Sequence, residues 1–139
     1  MNWLGFALLS AAAAAATAVL AKVGVKDVNS NLATAIRTTV ILVFAWGIVF
    51  ATGAHKGIGG LSRHTLLFLV LSGIATGLSW LFYFRALQLG KASQVAPVDK
   101  FSLVLTLIFA AAFLGESLNW GIAAGVALIT AGTILVAVS

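Results

Sequence analysis

Cysteine is absent from this 139-residue chain, which excludes disulfides, thiolate nucleophiles and cysteine-ligated metals. Proline occurs once, at Pro97, and the acidic residues are only Asp27, Asp99 and Glu116. Charged residues make up 8% of the chain, too little polar surface to cover a water-soluble globule of this size. The two histidines, His55 and His64, stand in a glycine-rich stretch with no acid nearby, a poor arrangement for a metal and an ordinary one for a solvated loop. The run GIGG at 57–60 lacks the spacing of a phosphate loop. Enzyme signals are therefore missing, and neither a cofactor nor a metal is expected. No basic stripe with interleaved aromatics offers itself to nucleic acid, so the formal charge of +5 fits lipid headgroups better than a polyanion.

What the chain has in abundance is apolar length. It is 62% hydrophobic, with a mean hydropathy of +1.15. Segments at about 3–21, 31–52, 65–88, 93–114 and 118–138 approach or reach the roughly 20 residues that cross a hydrocarbon core about 30 Å thick. Alanine and leucine dominate these runs, and no ten-residue alternation of the barrel type is present. The sequence thus predicts an all-α membrane protein, one transmembrane domain over 1–139 with five helices in a compact bundle.

Caps support these boundaries: Asn29 or Ser30 before the second helix, Ser62 before the third and Ser93 before the fourth. Gly115 is expected to end the fourth helix, and Ser117 or Asn119 to start the fifth. The first segment carries A-x-A sites but no basic residue before its apolar run, since its first lysine is Lys22. It therefore reads as a retained span, not a cleaved signal. Lys22, Lys26, Arg85 and Lys91, with Arg37 and Lys100 just inside the helix ends, outnumber Lys56 and Arg63 on the other side. That bias places the N-terminus outside and the C-terminus in the cytoplasm.

Two kinds of helix face stand out. Small residues let membrane helices approach closely, and the chain offers Gly73 with Gly77 in the third helix, and Gly121, Gly125 and Gly132 in the last. These suit packing inside one bundle or contact between subunits. The second kind is polar. Ser72, Thr76, Ser79 and Tyr83 fall on one face of the third helix beside Trp80; Asp99, Ser102 and Thr106 align on the fourth; Thr34, Arg37 and Thr38 align on the second. Hydroxyls in membrane helices often bond their own backbone, but three stripes that include an acid and a base suggest a shared cavity.

Arg37 and Asp99 each lie six residues past Asn31 and Ser93, about 9 Å into their helices. Arginine can snorkel back over that distance and aspartate cannot, so Asp99 is the more telling residue. If its helix starts instead at Pro97, Asp99 is the third residue, at headgroup level, where the helix dipole favours an acid. Both placements stay open. Lys100 either snorkels or shares the cavity. Trp80, Tyr83 and Phe84 form either an interfacial belt or a stacking wall.

The run from Trp80 onward carries a family likeness. Ala86, Leu87 and Gly90 precede Pro97, which is followed by Gly115 and Glu116 and then by Gly125, Leu128, Ile129 and Gly132. Lys22 and Arg37 in the first two helices fit as well. In order and spacing this resembles an EamA-like module of the drug/metabolite transporter superfamily, in its short five-helix bacterial branch. Most members are similar to two such modules fused in opposite orientation around a central cavity, ten helices in all. The resemblance implies that this chain is one half, completed by a second copy in parallel or antiparallel, or by a homologous partner chain.

The expected function is inner-membrane transport of a small polar or amphipathic metabolite or drug by alternating access, with or without proton coupling. Membrane lipid, a small-molecule substrate and a second protomer are the expected partners. Asp99 would be the coupling or substrate-pairing group and Arg37 its counter-charge or an anion anchor. Lys100, Ser102, Thr106 and Ser79 would line the cavity, with Trp80 and Tyr83 as its wall. Flipping of a lipid-linked headgroup and a non-transporting assembly role are the alternatives.

Overall fold

The computed structural model describes residues 2–117 and 119–139. Six α-helices follow one another: α1 Trp3–Gly24, α2 Ser30–Ala51, α3 Arg63–Leu89, α4 Ala92–Asp99, α5 Ser102–Phe113 and α6 Trp120–Ala137, with a 3₁₀ turn, Ala54–Gly60, between α2 and α3. With α4 and α5 taken as one segment, Ala92–Phe113, five stretches of 18 to 27 residues among the described residues are apolar enough to cross a membrane. At 1.5 Å per residue they measure about 27–40 Å. No strand occurs among the described residues. The protein is an all-α membrane protein.

The helix ends follow from local chemistry. The side chain of Asn29 accepts from the amides of Asn31 and Leu32 at 2.9 and 3.3 Å, and Ser62 Oγ accepts from the Thr65 amide at 3.0 Å. Asn119 does the same for Ile122 at 2.8 Å. Each occupies donors that a helix start leaves open. For α4 the cap position is Lys91, without a side-chain bond, and so falls before the expected Ser93. Gly115 is left-handed at φ 68°, a conformation glycine adopts without Cβ strain, and the Glu116 amide turns back to the Ala110 carbonyl at 3.3 Å.

The chain divides into two compact units, one of residues 21–88 and one of residues 1–20 with 89–139. In the second, α4 and α5 pack on α6. Pro97 has no amide, so the carbonyl four residues earlier, on Ser93, loses its helical donor. The helix ends two residues later. The amides of Lys100 and Phe101 bond the carbonyls of Pro97 and Val98, both at 3.0 Å, and α5 restarts as Leu103 and Val104 bond Lys100 and Phe101 at 2.9 and 3.0 Å. These are i→i−3 bonds, a tightened turn inside a spanning segment.

Thr133 of α6, only 7% exposed, donates its hydroxyl to the Pro97 carbonyl at 3.2 Å and so pins the proline turn to its neighbour. Thr130 instead bonds Val126 of its own helix at 2.8 Å. Thr133→Val should therefore cost about 1 kcal/mol in detergent unfolding. Thr130→Val should change the midpoint by less than about half of that, since its helix carbonyl keeps its backbone donor.

Within their own units, no heavy atom lies within 4 Å of where a Cβ would stand on Gly73, Gly77, Gly125 or Gly132; at Gly121 it would meet only the cap oxygen of Asn119, at 3.3 Å. Within each unit these positions therefore leave room for a close neighbour. Buried apolar side chains are few among the described residues, with Val25, Phe84 and Leu87 the most enclosed. The apolar exterior is what a lipid solvent requires.

Candidate functional site

In the unit of residues 21–88, the site begins with a fastening between helix ends. Lys22, in the last turn of α1, donates its ammonium to the Leu87 carbonyl near the end of α3, where helix carbonyls have no intrahelical partner. Gln88 Nε2 donates to the carbonyls of Val25 and Val28 in the connection to α2. Its Oε1 accepts from Arg85 Nη1 at 3.1 Å. Lys22, Val23, Val25, Lys26, Leu87 and Gln88 line a recess of about 410 Å³ beside this fastening. The start of α2 and the end of α3 therefore lie at the same membrane face.

From that face, Arg37 is seven residues into α2 and Trp80 is nine residues before the end of α3, about 11 and 14 Å deep. The matched depth brings them together. The guanidinium carbon of Arg37 lies 4.7 Å from the centre of the Trp80 ring and 5.2 Å from that of Phe84. Phe84 is 3% exposed, and Tyr83 meets it edge-on, with ring centres 6.3 Å apart and planes at 70°. Trp80 and Phe84 thus each present a ring face to the Arg37 guanidinium, an interaction worth about 0.5–2 kcal/mol as water is removed.

The hydroxyl stripes behave differently. Thr34 and Thr38 donate to Ser30 and Thr34 carbonyls at 2.9 and 2.8 Å, and Thr76 donates to Ser72 at 2.9 Å. They satisfy their own helices, the ordinary behaviour of such residues. Ser79 is exposed on α3, one residue before Trp80. His55 packs on Phe50 at 5.3 Å and His64 on Phe68 at 4.7 Å.

In the other unit, Asp99 is the last residue of α4, seven past its start, about 11 Å along the span. Lys100 occupies the turn, and its ammonium lies 3.7 Å from the Asp99 carboxylate, with side chains 52% and 37% exposed respectively. On a continuous helix, neighbours diverge by 100°; the interrupted helix lets them meet. Ser102 opens α5 and Thr106 follows one turn later, both exposed.

The structure adds Gln88 to the residues singled out from sequence. Its signal was present: Trp80, Phe84, Leu87 and Gln88 recur at spacings of four, three and one, which is one face of a helix. The polar stripe through Ser79 and Tyr83 drew attention to the adjacent face instead.

The profile of the EamA-like transporter family matches residues 1–138. A protein of Sinorhizobium sp., described as an uncharacterized transporter in the cobO 3′ region, is 56% identical over 137 residues, covering 99% of this chain and 97% of its own. No solved structure matches significantly.

Proposed function

This chain belongs to the EamA-like transporter family, and on that footing we propose that it moves a small polar or amphipathic solute across the bacterial inner membrane by alternating access, two copies enclosing the path. Its place in the membrane follows from its five apolar helices. The observation that carries the mechanism is the break at Lys100–Phe101 within the fourth span, beside the Asp99–Lys100 pair. Irregular backbone at membrane depth persists where it is covered by protein or lines a wet cavity, and interrupted helices recur where transporters bind solutes and ions.

In this reading Asp99 titrates or pairs with the solute, Lys100 balances it, and Ser102 and Thr106 continue the polar edge along α5. Arg37 stands against the wall of Trp80 and Tyr83, with Ser79 beside it. The glycine faces of α3 and α6 are where the second copy packs, in parallel or antiparallel, to complete a ten-helix assembly of two modules. The basic bias sets the C-terminus in the cytoplasm.

Asp99→Asn in proteoliposomes tests the assignment. The expected outcome is a rate at least about tenfold lower, with the pH dependence flattened, because an amide neither titrates nor balances Lys100. Uptake at full rate with the same pH response would remove Asp99 from the mechanism.

A further inference from the structure

The recess beside the Lys22–Leu87 fastening has no part in the transport reading. Its volume of about 410 Å³ falls among small-ligand sites, which run from about 300 to 1,000 Å³. Lys22 lies two residues before the end of α1 and Leu87 two before the end of α3, about 3 Å from each helix end. With 27 residues, α3 is about 40 Å long, roughly 10 Å more than a hydrocarbon core. The recess therefore sits at the level of the lipid headgroups.

Two exposed cations stand at it. Lys26 lines the recess, and the bond from Arg85 Nη1 to Gln88 Oε1 sets an exposed guanidinium at its rim. Gln88 gives its own amide hydrogens to the Val25 and Val28 carbonyls, so it acts as a strut that positions Arg85. The Lys22 ammonium covers the Leu87 carbonyl, part of the negative end of α3 that would otherwise repel an anion. Even with Lys22 left out, Lys26 and Arg85 stand against one acid in this unit, Asp27, which is exposed in the same connection.

Apolar surface adjoins these charges. Val23 lines the recess and is exposed, as is Phe82, one turn into the bilayer from Arg85. Cations at headgroup level with apolar side chains beneath them match a phospholipid in order, from phosphate to acyl chain. A dissolved anion would use the cations alone.

We propose that this recess holds the phosphodiester headgroup of an anionic phospholipid from the adjoining leaflet, with Lys26 and Arg85 pairing with the phosphate while Val23 and Phe82 lie along the start of the chains. The site is separate from Asp99 and does not depend on what the protein carries.

The test compares phosphatidylglycerol with phosphatidylcholine of the same acyl chains, added to the purified full chain in detergent. Bound lipid is counted by native mass spectrometry and the unfolding midpoint is followed. Phosphatidylglycerol is expected to bind at least about tenfold more tightly and to raise the midpoint. Lys26→Gln and Arg85→Gln should each weaken it about fivefold, and the double variant about thirtyfold, as for cations near an anionic surface. Lys56→Gln with Arg63→Gln, at the other end of α3, should change it by less than about twofold.

Equal binding of the two lipids by the unmodified protein would overturn the proposal without any variant. Unchanged phosphatidylglycerol binding in the folded Lys26→Gln/Arg85→Gln protein would do the same, as would equal weakening by the Lys56 and Arg63 changes. Soluble glycerol 3-phosphate separates the two sources of a phosphate ester: it should displace the lipid only at concentrations at least about a hundredfold higher. Displacement at equal concentration would make a dissolved ester the occupant and overturn the lipid assignment. Since no arm reads uptake, the transport reading stands or falls separately.

Discussion

Phe84→Ala is expected to lower the stability of the protein by about 3 kcal/mol, the lower end of the range for deleting a buried phenylalanine. Phe82→Ala, two residues away on the same helix, should change it by less than about 1 kcal/mol. The two side chains are chemically identical and differ in surroundings: Phe84 is 3% exposed and Phe82 is 73% exposed. Lipid tails are as apolar as the side chain, so little is gained by moving a ring out of the bilayer. What remains is the cavity left behind and the dispersion attraction that the surrounding atoms forfeit. At position 84 there is also the guanidinium 5.2 Å from the ring, which loses a cation–π partner. Unfolding followed in mixed micelles of rising denaturing detergent gives the contrast; equal midpoints for the two variants would contradict the packing described here.

Lys22→Met is expected to cost about 1.5–3 kcal/mol, the range for a hydrogen bond from a charged donor, although methionine preserves most of the apolar stem. The loss arises because the Leu87 carbonyl, on a residue that is 0% exposed, gives up the ammonium that Lys22 donates to it. Gln88→Leu removes the companion bonds to Val25 and Val28. Since both side chains tie the same helix end to the neighbouring connection, the double variant should deviate from additivity by about 0.5 kcal/mol or more. Strict additivity in the same micellar titration would mean that the two fastenings act independently.

Much of this was legible in the chain itself. The five spans, the caps at Asn29, Ser62 and Asn119, and the helix end at Gly115 follow from apolar length and from residue types whose backbone chemistry is local. The interruption of the fourth span was only half legible: Pro97 announced a missing donor, but the cap expected at Ser93 lies at Lys91, and the hydroxyl of Thr133 arrives from a helix distant in sequence. The pairing of Arg37 with Trp80 and Phe84 depends on how far each sits from a shared membrane face, which emerges only when Lys22 and Gln88 register α1, α3 and the connection between α1 and α2. The polar stripes read from helical periodicity overstated the number of groups available to a ligand, because hydroxyls that turn back onto their own carbonyls look the same in sequence as hydroxyls that do not.

The short turn at Lys100–Phe101 also has a mechanical meaning. On one side of it, α4 is anchored to α6 through Pro97 and Thr133; on the other, α5, which packs on α6 more sparsely, extends for 12 residues, a rod of about 18 Å. A swivel of about 10° at that joint carries the far tip of the rod through about 3 Å, roughly the width of a water molecule. On the transport reading proposed above, a small rearrangement around the Asp99 carboxylate would thus be geared up at the opposite leaflet.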